Sequence, residues 1–197
     1  DNYPCHLFNN IVECWKKGDD FVILKSLDSI SEHDLLSLVE NQVFEKNLEY
    51  KEDFSGNQDK DKKEFLADIS SFANSSGGDI IYGIREENGI PVDLVGIDLQ
   101  DNDIDSRKLW IDDLIRQGIK PRIPNVKTES IKLSNDRYAI IIRIPKSWRS
   151  PHCVTHKGSF KFFERSSNGK YQLDVDELRH EFIMSETLNK GGDDEQK

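Results

Sequence analysis

A helical pattern that stops at two glycines and turns at once into an apolar strand is the strongest constraint in this sequence. From Lys62 onward, Phe65, Ile69, Phe72 and Ala73 recur at helical spacing and mark one buried face. Ser75-Ser76-Gly77-Gly78 ends the pattern, because glycine tolerates the left-handed turn that closes a helix and lets two backbones approach closely. Ile80 to Ile84 follows as a strand, and Glu87-Asn88-Gly89 reads as a hairpin turn into a second strand near Val92 to Val95. Leu109 to Gln117 is a further amphipathic helix, apolar at Trp110, Leu114 and Ile115 and stopped by Gly118 and Pro121. The next stretch is β-rich, with strands at Val126 to Leu133, Tyr138 to Ile144 and Phe160 to Arg165, and Val175 to Met184 is the closing helix. Helices and strands alternate without a regular β-α-β period, so the expected fold class is α+β, a mixed or antiparallel sheet with flanking helices.

Upstream, residues 4 to 17 read as a helix with Leu7, Ile11 and Trp15 on one stripe, followed by the apolar run Phe21 to Leu24. Ser29 and Glu32 have capping-box spacing before a helix that buries Leu35, Leu36 and Val39. Residues 1–43 are expected to form a small helical lobe or adaptor, 44–187 the main domain, and 188–197 a disordered acidic tail or a truncation point. Leu48 to Glu52 is a short extended segment, and Ser55 to Asp61 a loop. A chain of 197 residues, 36% hydrophobic and 32% charged, buries a sizeable core and is not a disordered composition. No apolar run is long enough to span a membrane, no signal segment opens the chain, and Cys5, Cys14 and Cys153 are too few and too scattered for a disulfide framework. The expected setting is the cytoplasm, with no membrane partner.

A net charge of −10 argues at first against a polyanionic partner, but the charge is unevenly placed. Between Arg137 and Lys170 stand eight basic residues (Arg137, Arg143, Lys146, Arg149, Lys157, Lys161, Arg165, Lys170) and one acid, Glu164, a local net of +7. Acid gathers instead between Glu86 and Asp105 and at Asp193, Asp194 and Glu195. A basic face on an acidic body presents a local field to phosphates, although ordinary solvated surface gives the same composition. Within the segment, Pro145-Lys146-Ser147-Trp148-Arg149-Ser150-Pro151-His152 combines cations with an aromatic ring in a loop bounded by prolines. Such a loop suits a phosphate backbone and an unstacked base, or else Trp148 merely caps the core. Lys157, Lys161 and Arg165 are four apart and share one strand face if no bulge intervenes. His152, Cys153 and His156 lack the paired spacing of a zinc site, and no P-loop run occurs anywhere in the chain. Asn74 either ties down the turn after its helix or contacts a phosphate.

Glu49-Tyr50-Lys51, Ser71-Phe72-Ala73-Asn74-Ser75-Ser76-Gly77-Gly78 and Gly83-Ile84-Arg85-Glu86 stand in that order. Together they resemble the Schlafen-type, Alba-like domain. Its usual pattern is an acidic residue, Glu-Phe-Lys, Ala-Phe-Ala-Asn-Thr-x-Gly-Gly, an apolar strand, Gly-Val and an acidic turn. Gly96, Ile119, Pro121, Ser150-Pro151-His152 and Phe163-Glu164-Arg165-Ser166 continue the likeness, which covers roughly residues 40 to 186. The resemblance implies a metal-dependent endoribonuclease acting on structured RNA such as transfer RNA, with an acidic triad binding Mg²⁺ or Mn²⁺. Carried onto this chain, Glu49 is the motif glutamate and Glu86 the acid of the turn. The family acid five residues before the motif glutamate corresponds to Phe44, so Glu45 is displaced by one, and Arg85 occupies a place that is often acidic.

In an extended segment Glu45, Glu49 and Lys51 share one face, and a hairpin could return Glu86 toward Glu49. Three converging carboxylates would be relieved by an oxygen-seeking divalent cation, with Lys51 stabilising charge on the phosphate. The expected metal ligands are therefore Glu49, Glu86 and Glu45. The expected nucleic-acid contacts are Arg143, Lys146, Trp148, Arg149, His152, Lys157, Lys161 and Arg165, with RNA favoured over DNA. The alternatives are a non-catalytic DNA- or RNA-binding module of a larger regulatory protein, and a protein-interaction platform built on Phe160, Phe162 and Trp148. In the plain reading, Glu45 and Glu49 are surface acids paired with Lys46 and Lys51. A homo-oligomer or a further C-terminal domain is compatible with all of these.

Overall fold

The computed structural model describes residues 25–54, 58–99, 103–167 and 169–191. The expected helix at residues 4–17, the run Phe21 to Leu24, Cys5 and Cys14, and the acids Asp193, Asp194 and Glu195 lie outside the described residues.

The elements are α1 (Glu32–Glu40), β1 (Leu48–Lys51), α2 (Asp59–Asn74), β2 (Gly77–Tyr82), β3 (Ile84–Glu87), β4 (Ile90–Leu94), α3 (Ile104–Gly118), β5 (Ile119–Lys120), β6 (Lys127–Lys132), β7 (Tyr138–Pro145), β8 (Cys153–Val154), β9 (Lys161–Ser166), β10 (Gly169–Gln172) and α4 (Val175–Gly191). The fold is α+β, with mixed and antiparallel sheets. In the main sheet the strand order is β1-β2-β7-β6; β1 runs parallel to β2, and the other neighbours are antiparallel. A parallel pair needs a crossover, and α2 supplies it.

The two central strands, β2 and β7, are buried on both faces, which is why Ile80-Ile81-Tyr82 and Ala139-Ile140-Ile141-Ile142 read as continuous apolar runs. Ile80, Tyr82, Ile140, Ile142 and Ile144 face α2 and α3 in one core. Ile81, Ala139 and Ile141 point the other way and meet Leu27, Ile30, Leu35, Leu48 and Tyr50 in a second. The described part of the N-terminal region, α1 and the turn before it, thus closes one face of this sheet. Its cap differs from the expected pair by two residues: Ser31 donates through N and Oγ to Asp34 Oδ2, each at 2.8 Å.

A second sheet, ordered β10-β9-β8-β5 and wholly antiparallel, lies against α2 on the side away from the first. The expected strand at residues 160–165 is β9, whereas the two-residue strands β5 and β8 are too short to leave a periodic signal. Helix α2 is therefore enclosed all round over Phe65 to Asn74, including Asp68, Ser70, Ser71 and Asn74. The buried hydroxyls are satisfied within the helix: Ser70 donates to the Ala67 carbonyl and Ser71 to that of Asp68. Gly77 has φ +78°, and a Cβ there would stand 2.6 Å from Lys146 N; at Gly78 a Cβ would meet Asn47 O at 2.3 Å. Both glycines bring β1, β2 and the end of β7 together as expected. The Asn88-Gly89 turn, with φ 54° and 82°, closes the β3-β4 hairpin in the manner that pair of residues favours. The closing helix runs on to Gly191, so the start of the expected tail is helical.

Candidate functional site

Strand β1 alternates Leu48 and Tyr50 into one core with Glu49 and Lys51 on the opposite face, toward α2 and β9. There Glu49 accepts from Lys51 Nζ at 2.7 Å through Oε1 and from Arg165 Nη2 at 2.6 Å through Oε2. The second acid of this cluster comes from α2: Asp68, almost wholly buried, meets Lys170 Nζ at 2.6 Å and Lys51 Nζ at 3.6 Å. Lys170 also reaches Glu64 at 2.6 Å, and the Arg165 guanidinium lies 4.1 Å from the centre of the Phe72 ring. Two carboxylates and three cations from β1, α2, β9 and β10 are thereby locked in one partly desolvated group.

The titration shifts follow from these partners. Burial alone would raise the Glu49 carboxyl, but Arg165 and Lys51 outweigh it and hold the group below the ordinary carboxylate range. Lys51 is raised: burial disfavours its charge, and Asp68 and Glu49 more than restore it. Asp68 is raised by its burial in spite of Lys170 and Lys51.

Glu45 and Glu86 are not brought to this group. The chain before β1 is a turn, with Leu48 N donating to Glu45 O at 3.0 Å, so Glu45 does not continue the strand alternation. It acts instead on Tyr50, whose side chain points to the opposite core and whose phenol is raised first by burial and then by the Glu45 charge. Glu86 is exposed on the β3-β4 ribbon and accepts from the Gly89 N–H of its own turn, while the ribbon packs against α1. Arg85 pairs with Asp93 at 3.0 Å. Among the described residues no group of three or more His, Cys, Asp or Glu side chains is placed to hold a metal ion. The residues expected to bind Mg²⁺ or Mn²⁺ therefore do not fit such an ion. Glu49 is neutralised by two cations, Glu45 lies in the turn before β1, and Glu86 is engaged in its own hairpin turn.

The eight expected nucleic-acid contacts divide into an inner and an outer set. Arg143 is turned inward, bidentate to Asp79 at 2.9 Å on both oxygens and donating to Lys25 O at 2.7 Å. Arg165 is held by Glu49, and the His152 ring is fully buried, its Nδ1 2.7 Å from Pro121 O. These three shape the protein. Lys146, Trp148 and Arg149 stand outside: Trp148 is 63% exposed, with the Arg149 guanidinium 5.2 Å from its ring centre. Lys157 and Lys161 are exposed too, but Lys157 sits in a 3-10 turn ahead of β9, so the expected row of three on one strand is not formed. Among the described residues, none of these four cations has a carboxylate within ion-pair distance.

The outward loop between β7 and β8 is fixed from beneath. Ser147, buried between two exposed neighbours, donates its N–H to Ala73 O at 3.0 Å, and its hydroxyl accepts from Arg149 N at 3.1 Å. At the other end Asn74 accepts from His152 N at 2.7 Å and donates to His152 O at 3.1 Å and Phe163 O at 2.8 Å. Asn74, expected either to tie down the turn after its helix or to contact a phosphate, has its amide engaged instead in tying α2 to β8 and β9. Sequence reasoning missed Asp68, Lys170 and Ser147. The signal for Asp68 was present, since an acid on the Phe65–Phe72 side of a helix enclosed by apolar residues calls for a buried partner.

A cleft of about 230 Å³ opens beside this loop, lined by Asn47, Gly77, Gly78, Arg143, Pro145 and Lys146 among others. Among the described residues no helix is long and apolar enough to cross a membrane.

Comparison with known proteins gives three findings. A search of curated proteins finds none that matches. Among solved structures, the DIP2311 protein of Corynebacterium diphtheriae is similar at 15% identity and a TM-score of 0.48, over 71% of this chain and 30% of that one, so this chain spans less than a third of that protein. The N-terminal domain of a DNA helicase RecG-related protein from Nitrosomonas europaea is similar at 19% identity and a TM-score of 0.49, over 74% of this chain and 96% of that one. The family model described as Schlafen, AlbA_2 matches residues 45–174, from the turn before β1 through the end of the second sheet. That span holds the buried charge cluster, the glycine pair and the outward loop, and the chain belongs to the Schlafen AlbA_2 family.

Proposed function

We propose that this chain is a nucleic-acid-binding domain that grips a phosphate backbone with Lys146 and Arg149, assisted by Lys161, and stacks an unpaired base on Trp148. The observation that carries this reading is the outward loop itself. A 63% exposed indole with a guanidinium 5.2 Å from its ring centre stands on a base anchored to α2 through Ser147 and Asn74. A largely exposed ring with the Arg149 guanidinium beside it and Lys146 exposed in the same loop suits a strand whose bases are splayed from their stack. Unpaired bases abound in RNA loops and bulges, so structured RNA is favoured over duplex DNA. The cleavage that the family resemblance implies would require Glu49 to give up Lys51 and Arg165 and join acids on other surfaces, so the reading is binding without metal-dependent hydrolysis.

The test is fluorescence anisotropy with three labelled probes: an RNA hairpin with an unpaired loop, single-stranded DNA of the same sequence, and a fully paired duplex. The hairpin should bind tightest, and Lys146→Glu with Arg149→Glu should abolish the preference. Added Mn²⁺ or Mg²⁺ should leave the RNA intact. Equal binding by the charge-reversed protein, or cleavage lost in Glu49→Gln, would overturn the proposal.

A further inference from the structure

The connection between the antiparallel strands β8 and β9 puts a bulky aromatic residue in the left-handed region. Phe160 has a positive φ of 49° and is 70% exposed, so a bulky side chain occupies the left-handed region while burying little apolar surface in return. Lys157, three residues earlier, also takes a φ of 49°. The Phe160 ring lies over Gly158, where a Cβ would meet ring atom Cε2 at 4.0 Å, and most of the ring faces solvent. Left-handed bulky residues persist where the surroundings impose them, and they gather at binding sites. From Val154 to Phe163 there is no acidic residue, and Lys157 in the turn and Lys161 at the start of β9, three residues before Phe160 and one after it, are both exposed. Asp59 faces this turn from α2, paired with His156 at 3.2 Å and lowered by that contact and by the Lys157 charge. This turn and the Trp148 loop leave β8 at its two ends.

We propose that Phe160 is a second base-stacking residue, and that Lys157 and Lys161 hold the phosphates on either side of the base it receives. The inference rests on the reading of the Trp148 loop as a nucleic-acid contact and extends that contact across β8. A strand of unpaired nucleotides then meets two rings, each beside cations, which gives preference for single-stranded loops over duplex at no cost in hydrogen-bond readout. A cation-flanked ring favours a polyanion with flat bases over an apolar protein surface.

Phe160→Gly separates the binding role from any structural one. Glycine adopts a positive φ freely, and the ring buries little, so the variant should melt at the same temperature as the parent or higher. Its affinity for the hairpin RNA should fall at least about fivefold, the low end for one base stacked on an aromatic ring, with duplex affinity unchanged. Phe160→Trp should restore loop binding. A variant that binds the hairpin as tightly as the parent would leave the ring to a protein partner and overturn the inference, while the Trp148 reading stands if Lys146→Glu/Arg149→Glu still abolishes binding. A clear drop in melting temperature would show that the ring is structural and overturn it as well. A parent protein that binds none of the probes would remove both.

Discussion

Glu49 shows how a residue's partners decide its chemistry. The Glu49-Tyr50-Lys51 motif placed an acid and a lysine on one face of a strand, and they are there, 2.7 Å apart. Sequence spacing could not reveal that Arg165, 116 residues further along, closes the other side of the carboxylate. Removing the charge while keeping the shape, Glu49→Gln, leaves the Arg165 guanidinium partly buried without its counter-ion and Lys51 with Asp68 alone. That loss should cost about 3 kcal/mol, the low end for an uncompensated buried charge. For a chain of this size it lowers the melting temperature by roughly 6–12 °C, measurable by differential scanning calorimetry. An unchanged or raised melting temperature would mark Glu49 as a functional acid held under tension. The lowered Glu49 carboxyl also fixes a sign. Its contribution is complete above the ordinary glutamate range and is lost as pH falls through the depressed folded value.

His152 behaves in the opposite sense. Burial lowers its pKa, a hydrogen bond to Pro121 offsets this in part, and Arg149 lowers it further. The ring is thus neutral when folded, Nδ1 donating to Pro121 O and Nε2 buried without a partner among the described residues. Its stability contribution is present above the unfolded value near 6.5 and declines as pH falls from there toward the folded one. His152→Asn, which keeps a donor near the Nδ1 position, should flatten the loss of melting temperature between about pH 6.5 and 5. An identical acid limb in the variant would assign that loss elsewhere.

At the scale of elements, the sequence was most legible where periodicity was long. The Asn88-Gly89 hairpin and the strands β6 and β7 stand where their patterns put them, α2 starts three residues earlier than its pattern, and the expected strand Ile80 to Ile84 is divided at Gly83 between β2 and β3. The two-residue strands β5 and β8 left no pattern, so the second sheet was read as the single strand β9. That omission explains why Arg165 was assigned to an outer surface: with a sheet lying on α2, Phe163 and Arg165 of β9 turn inward, Phe163 against the core and Arg165 over Phe72, while Lys161 at the start of the strand stays exposed. The β7-β8 loop was correctly identified as distinctive, but its support by Asn74 and Ser147 is a tertiary fact without a local signature. Asn74→Ala should uncouple this loop from α2. It strands the His152 N–H and two carbonyls in a buried site, costing at least about 2 kcal/mol, which lowers the melting temperature by roughly 4–8 °C. RNA affinity should drop with it, because Trp148 and Arg149 lose their fixed base. Full affinity in a destabilised variant would mean that the loop needs no anchoring.

For the whole molecule, the charge asymmetry visible in the sequence survives folding only in part. Of the eight basic residues between Arg137 and Lys170, Arg143, Arg165 and Lys170 are internal ion-pair partners; Arg137, Lys146, Arg149, Lys157 and Lys161 remain outside. The chain's overall −10 therefore sets a repulsive background, against which a small number of exposed cations must act locally. The exposed cations on either side of β8 are the ones on which the proposed polyanion contact rests.

The most direct test of that claim is the salt dependence of hairpin-RNA binding. The slope of log K against log salt reports how many phosphates are neutralised. For single-stranded contacts, removing two cations with Lys146→Ala/Arg149→Ala should reduce it by about 1.4, roughly 0.7 for each phosphate released. An unchanged slope with the loop cations gone would contradict the account.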